Sequence, residues 1–190
     1  MPPRAKVKSA VAVRTYAVDP EVIAAAAHTF LRSVHNNFPV TEIPDTIKKV
    51  GGVYGLFWHG PSDTFLNRTL GVPGPAHKPP IDVEFNRAWV RHPAAVHPKS
   101  GVALYVGTTN DLHKRLSQHR AVNTDTIRRA STTSQVRKVL QKLLGACAKS
   151  EFEKYVRVRY VANANAAERF FIEQKLIGEL LPLFNVKPEH

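Results

Sequence analysis

The segment GVALYVGTTNDLHKRLSQHR, residues 101–120, decides the fold because a predicted strand runs directly into a predicted helix. The run GVALYVG is rich in β-branched and aromatic residues, which favours a strand. TTNDLHKRLSQHR is typical of a helix whose N-cap is Thr109 or Asn110. Arg115 and His119 are four residues apart, so this helix would place them on one face, one turn from each other.

Two further segments predict strands. GGVYGLFW, residues 51–58, is apolar, follows paired glycines and ends before Gly60-Pro61. FEKYVRVRYV, residues 152–161, alternates valine with arginine, which indicates a strand with one buried and one basic face. Leu112 and Leu116 lie beside the Arg115 face and are expected to anchor their helix on the sheet.

The rest of the chain predicts one more strand and three helices. The strand is expected at 11–18, and a helix capped by Asp19 follows over 20–34. Another amphipathic helix is expected at about 133–149, where Cys147 lies in an apolar run and is expected to be buried. The last helix begins near Asn165, with Glu168 completing its cap, and ends at Pro182. Its apolar residues should pack on the sheet: Phe170, Phe171, Ile172, Leu176, Ile177, Leu180 and Leu181.

Composition narrows the class of protein. Of 190 residues, 27 are Lys or Arg and 15 are Asp or Glu, giving a formal charge of +12 that favours a polyanionic partner such as nucleic acid. The single cysteine excludes an internal disulfide and a thiolate zinc site. No apolar run approaches the ~20 residues of a membrane span, and the basic N-terminus does not resemble a signal peptide, so a cytoplasmic protein is expected.

Residues 62–100 differ in amino-acid composition from the segments on either side. They contain six of the fourteen prolines, several basic residues and three histidines, with one short apolar stretch around Trp89. Such a long irregular segment is expected to be an insertion outside the core. Its basic and aromatic content favours a DNA-contacting loop, although a proline-rich spacer is the alternative.

Six residues together resemble the GIY-YIG nuclease family in order and local context. The resemblance lies in GVYGL, in YVGTTNDLHKRLSQH and in IEQKLIGELLPLFN, and it spans roughly 51–186. The two signature triplets of the family correspond here to GVY and YVG, and valine replaces isoleucine in both. Phe184 stands where the family often has tyrosine. Residues 62–100 separate the two signature strands, which a short hairpin usually joins. The matching positions are Tyr54, Tyr105, Arg115, His119, Glu173 and Asn185.

The resemblance implies an α+β fold, with a small central antiparallel or mixed β-sheet flanked by helices. It also implies metal-dependent hydrolysis of a phosphodiester bond. Glu173 would ligate Mg²⁺, with Mn²⁺ as a substitute, and Arg115 would bind the scissile phosphate. Tyr54 would be the general base for the attacking water, or His119 would take the proton while Tyr54 orients.

Two positions of the set have less direct roles. Tyr105 would bond the phosphate or order the water, with a core tyrosine as the alternative. Asn185 is expected to fix local backbone. Lys114 and Arg120 flank the site helix and would contact backbone phosphates.

The pattern of added segments resembles the type II restriction endonucleases of that family. Residues 1–50 would be an N-terminal extension, with a strand and a helix, for DNA binding or dimerisation, and 51–190 the catalytic domain. The expected enzyme is a homodimer that cuts double-stranded DNA at a short, possibly GC-rich palindrome, with a DNA methyltransferase encoded nearby. Base contacts would come from the 62–100 insertion: Arg68, Lys78, Arg87, Arg91 and His92, with Lys99 next to the second signature strand. The alternatives are a structure-specific or mobile-element endonuclease, and a DNA-binding module without catalysis.

Overall fold

A four-stranded antiparallel sheet with helices on both faces organises the chain, which confirms the expected α+β class. The computed structural model describes residues 18–32, 37–65, 69–72, 81–84, 101–120 and 135–185. The strands are β1 (Asn37–Pro39), β2 (Gly52–Trp58), β3 (Thr69–Val72), β4 (Ile81–Glu84), β5 (Val102–Thr109) and β6 (Val156–Ala162). The helices are α1 (Pro20–Arg32), α2 (Leu112–Arg120), α3 (Gln135–Leu144), α4 (Ala148–Tyr155) and α5 (Ala166–Leu180). The central sheet has the order β1-β6-β2-β5, and β3 pairs with β4 in a separate two-stranded sheet.

Two apolar clusters cover the two faces of the sheet. Val53 and Phe57 of β2 pack with α1 and α5, while Leu56 and Trp58 face α2, α3 and α4. Every residue of β2 is therefore buried, as expected for a central strand covered on both faces. Burial of one large apolar side chain contributes about 1.5–3 kcal/mol, so these clusters hold the helices that carry the polar residues described below.

The N-terminus of α5 follows its sequence signal, whereas that of α2 is shifted. Asn165 accepts hydrogen bonds from the backbone N–H groups of Ala167 and Glu168, which confirms it as the N-cap of α5. α2 begins one position later than predicted, because Asp111 rather than Thr109 or Asn110 accepts the bond from the backbone N–H of Lys114.

The helix predicted over 133–149 is wrong in its length. The chain breaks at Gly145, whose φ of 57° is the left-handed conformation that ends many helices. α4 then continues through Tyr155, so the first residues of FEKYVRVRYV are helical and the strand begins at Val156. Cys147 lies at this break and is exposed, so the prediction of a buried thiol was wrong.

The basic face predicted for β6 is wrong at one position. Arg157 is exposed, but Arg159 is 6% exposed and donates from Nη1 to the carbonyl of Leu31 at 3.1 Å. Helix α1 covers that face of the sheet, and the arginine bonds a carbonyl near its C-terminal end. β1, which the sequence did not predict, pairs with the outer edge of β6, where Pro39 is tolerated.

Part of the 62–100 segment belongs to the core. Phe65 is fully buried between Trp58 and Phe184, and β3 pairs with β4 further on, so the expectation of a segment wholly outside the core was wrong. The strand predicted at 11–18 lies outside the described residues except for Val18. Within the described ranges, none of the helices has the length and apolar character that a bilayer crossing needs.

Candidate functional site

Side chains from β2, β5 and α2 meet on one face of the sheet. The Tyr54 hydroxyl lies 2.8 Å from Nε2 of His119, a residue 65 positions away in the chain. The same hydroxyl accepts a bond from Nε of Arg115 at 3.2 Å. Leu112 and Leu116 are fully buried and hold α2 on the sheet, as predicted, so Arg115 and His119 reach Tyr54 from successive turns.

A β-bulge brings Tyr105 to the same cluster. In the β2–β5 pairing, Leu56 faces Tyr105 but Phe57 faces Ala103, so Leu104 is the extra residue. Leu104 and Tyr105 consequently pack on the α2 side, although regular alternation would have sent one of them to the opposite face. The Tyr105 ring lies 6.1 Å from the ring of Tyr54 and 6.0 Å from that of His119.

Gly107 provides the space in which the two tyrosines approach. A Cβ atom at this position would lie 2.7 Å from Cε1 of Tyr105 and 2.9 Å from the Tyr54 hydroxyl. Both distances are shorter than any normal contact, so the final glycine of the YVG triplet is required for the geometry of the cluster.

The cluster opposes ionisation of both phenols. Burial raises the pKa of Tyr54 far above its usual value, and the nearby Tyr105 raises it further. Arg115 lowers this pKa by attraction and hydrogen bonding, and Glu173 makes the smallest contribution, which raises it. Burial, followed by the charge of Glu173, also raises the pKa of Tyr105. Tyr54 and His119 are fully buried, whereas Tyr105 and Arg115 are partly exposed and form the accessible side of the cluster.

Arg115 is held by several polar partners. Burial lowers the pKa of its guanidinium, but attraction to Tyr54 and hydrogen bonding with Tyr54 and Tyr105 raise it overall. Its Nη1 donates to Oε1 of Gln118 at 3.3 Å, one turn along α2. The guanidinium is thus a fixed positive charge beside two neutral phenols.

Glu173 reaches this region from the other layer of helices. It lies on α5 between Ile172 and Leu176 of the buried stripe and is itself partly buried. Its negative charge acts on both Tyr54 and Tyr105, which indicates that it belongs to the same site. No group of three or more histidine, cysteine, aspartate or glutamate side chains suited to a metal occurs among the described residues.

Asn185 is bound to the edge of β5. Its Oδ1 accepts from the backbone N–H of Val106, and its Nδ2 donates to the carbonyl of Val106, both at 2.8 Å. The backbone N–H groups of Leu183 and Phe184 bond the carbonyls of Ala103 and Leu104. The C-terminal segment therefore covers the β5 edge from Ala103 to Val106.

The other predicted DNA contacts divide into two groups. Lys114 and Arg120 are exposed on α2, where phosphate contacts are sterically possible. The remaining predicted contacts lie outside the described residues: Arg68, Lys78, Arg87, Arg91, His92 and Lys99.

Sequence reasoning missed Arg169. It is 5% exposed on α5, and its Nη1 donates to the carbonyls of Asn163 and Ala164 at 2.8 and 2.9 Å. Its Nη2 donates to Oδ1 of Asn110, in the loop between β5 and α2. The available signal was its spacing, because Arg169 falls on the stripe of Ile172 and Leu176, where a charged residue needs partners.

Comparison of the chain with protein-family models, with characterised proteins and with solved structures found no match. Membership of the GIY-YIG family therefore stays a prediction from the residues. The contacts within the Tyr54 cluster can be interpreted chemically by themselves.

Proposed function

We propose that this protein is a metal-dependent DNA endonuclease of the GIY-YIG type. The observation that carries the proposal is the contact of Tyr54 with His119 and Arg115, with Tyr105 beside them and Glu173 acting electrostatically on both tyrosines. Five of the six residues of the family resemblance are thus electrostatic or hydrogen-bonded neighbours. Asn185, the sixth, fixes the strand that carries Tyr105.

The hydrogen bonds favour a proton relay from water through Tyr54 to His119. Nε of Arg115 is only a donor, so the Tyr54 oxygen accepts there. In the proposed tautomer His119 is neutral with an unprotonated Nε2, which accepts the Tyr54 proton. Because burial raises the pKa of Tyr54, a free phenolate is a poor resting base. In the proposed step Tyr54 takes a proton from the attacking water while passing its own proton to His119, so the phenol stays neutral before and after.

Access to Tyr54 requires a local rearrangement. The phenol is fully buried, with Gly107 and Arg115 against its hydroxyl. Binding of a phosphate by Arg115 would turn the guanidinium outward and open this side of the hydroxyl to water. Tyr105, which is already partly exposed, would donate a hydrogen bond to the same phosphate.

The donor set fits a weakly held Mg²⁺ ion. Mg²⁺ in enzymes that act on phosphates is commonly bound by one or two carboxylates, with waters and phosphate oxygens completing the octahedron. Glu173 is the one acidic residue of the cluster, so it would hold the ion, or Mn²⁺ in its place. When bound, the ion would stabilise charge on the phosphate and on the departing 3′-oxygen. Binding of DNA and of the ion should therefore be mutually dependent.

The expected substrate is double-stranded DNA. A formal charge of +12 supports binding to a polyanion. Lys114 and Arg120 are exposed on α2, the helix that carries Arg115 and His119. We propose a type II restriction endonuclease that acts in the cytoplasm as a homodimer on a short palindrome, possibly GC-rich, with a partner methyltransferase encoded nearby. The 62–100 segment, of which β3 and β4 form a paired ribbon, would read the bases.

Digestion of a plasmid tests the proposal. Purified protein with Mg²⁺ should convert plasmid DNA into discrete fragments whose sequenced ends share one site, and EDTA should prevent this. Ragged degradation would replace the restriction role by nonspecific cleavage. Cutting confined to branched DNA would favour a structure-specific enzyme, and intact plasmid under all conditions would overturn the nuclease proposal.

A further inference from the structure

An open polar pocket of about 520 Å³ lies next to the Tyr54 cluster. It is lined by Thr108 of β5, by Asn110 of the following loop and by Lys114, Arg115 and Gln118 of α2. Arg115 belongs to the Tyr54 cluster and also lines this pocket, so the pocket and the cluster adjoin at this residue. The volume lies within the range of about 300–1,000 Å³ that is usual for ligand pockets.

The chemistry of the pocket suits an anion. Lys114 is exposed at its rim, and Arg115 is permanently charged. Before DNA binds, the Arg115 guanidinium is hydrogen-bonded at Nε to Tyr54 and at Nη1 to Gln118. The hydroxyl of Thr108 adds a neutral donor.

A buried residue holds one wall of this pocket in place. Asn110 is bound by Arg169, which is 5% exposed and also donates to the carbonyls of Asn163 and Ala164. A Cβ atom at Gly51 would lie 2.7 Å from Nη1 of Arg169, so the arginine fits because that position is a glycine. The same helix carries Glu173, so Arg169 ties the pocket wall to the helix that would hold the metal.

One carboxylate determines where in the pocket an anion can lie. Asp111 lines the pocket, and its Oδ1 accepts from the backbone N–H of Lys114 at 3.0 Å. This bond holds the pKa of Asp111 below its usual value, so the group is ionised near neutral pH. Asp111 repels an anion from its own end of the pocket, and the positive charges of Arg115 and Lys114 attract one.

We propose that this pocket binds the DNA phosphate next to the one that is cleaved, through Lys114 and the pocket side of Arg115. The assignment rests on the proposed nuclease function and deepens it. Successive phosphates of one strand are close enough for Arg115 to stand between them, with the scissile phosphate at Tyr105 and its neighbour at Lys114. The pocket thereby fixes the register of the strand relative to Glu173 without reading its sequence.

Neutral linkages in DNA test the assignment. After the cleavage position is mapped, duplexes that each carry one uncharged methylphosphonate near it are bound in EDTA to the wild-type protein, to Lys114→Gln and to Lys149→Gln. Lys149 is an exposed lysine of α4 and serves as the matched control. A neutral linkage next to the cleaved one should weaken binding about five-fold for the wild type and for Lys149→Gln. The same linkage should have a clearly smaller effect on Lys114→Gln, because Arg115 is then the remaining partner of the charge that it removes.

Two outcomes would overturn the assignment, and neither depends on the nuclease proposal being wrong. In the first, Lys114→Gln keeps the full sensitivity at every linkage, which would show that the Lys114 ammonium binds none of them. Independently, the salt dependence of binding to a mixed-sequence duplex should become less steep by about one unit of slope in Lys114→Gln and stay unchanged in Lys149→Gln. An unchanged slope in Lys114→Gln contradicts the pocket assignment. If the plasmid in the digestion above also stays intact, the pocket assignment and the nuclease proposal are both contradicted.

Discussion

Replacement of Gly107 by alanine should disable the Tyr54 cluster while leaving the fold intact. The added Cβ would lie 2.7 Å from Cε1 of Tyr105 and 2.9 Å from the Tyr54 hydroxyl, so both rings must move by roughly 0.5–1 Å to restore normal contacts. The backbone of Gly107 lies outside the left-handed region, so alanine introduces no backbone strain. Overpacking of this kind costs about 1–3 kcal/mol of stability.

The effect on catalysis should be larger than the effect on stability. A displacement of about 1 Å in a catalytic group can lower kcat about 10²-fold. Single-turnover cleavage of the mapped duplex measures this loss, and urea unfolding measures the stability of the same preparation. DNA binding in EDTA should change by no more than about three-fold, because Gly107 itself lies beneath the tyrosines.

Gly55→Ala is the matched control. Its Cβ would meet Phe30 and Phe57 at 2.7 and 2.8 Å in the other apolar cluster, so the steric cost is similar but the tyrosines are not displaced. The cleavage rate of Gly55→Ala should stay within about three-fold of the wild type once the folded fraction is accounted for. The reasoning fails if Gly107→Ala cuts at the wild-type rate, or if both variants lose activity equally.

Three further predictions concern single side chains. Asn185→Ala should lower the free energy of unfolding by about 1–3 kcal/mol in urea, because Val106 loses partners for its N–H and its carbonyl; unchanged stability would contradict this. His119→Ala should lower kcat by about 10²–10⁴-fold with nearly unchanged DNA affinity, and a small effect would exclude the relay through Tyr54. Burial raises the pKa of Tyr54, so above pH ~10 the unfolded chain loses a proton that the folded chain keeps, and stability should fall by up to about 1.4 kcal/mol per pH unit. Urea unfolding between pH 9 and 11 measures this slope, which should be shallower in Tyr54→Phe.

The sequence predicted those parts of the site that depend on local geometry. Arg115 and His119 share a face because helical spacing is regular. The apolar Leu112 and Leu116 beside them indicated how that face is oriented relative to the sheet. The N-cap at Asn165 was likewise visible, because its side chain bonds backbone groups two and three residues away. Such features need no knowledge of the rest of the fold.

Features that depend on distant contacts were not visible in the sequence. The extra residue Leu104 changes the side of the sheet to which Tyr105 belongs, and nothing in the local pattern marks that bulge. Arg159 was assigned to a basic surface because alternation gives two faces but does not say that α1 covers the second. Phe170 and Phe171 were assigned to the buried stripe of α5, yet they are 54% and 47% exposed, since the stripe is narrower than their position suggested.

Cleavage of DNA by wild-type protein and by Glu173→Gln, each across a Mg²⁺ titration, tests the central claim most directly. Glu173 is the one carboxylate of the cluster, so the glutamine variant should bind the mapped duplex in EDTA about as tightly as the wild type and should not cut it at any Mg²⁺ concentration. Wild-type protein should cut it with a Mg²⁺ requirement that falls as the DNA concentration rises. Retained cleavage by Glu173→Gln, or a wild-type rate that does not depend on Mg²⁺, would contradict the proposed metal-dependent nuclease.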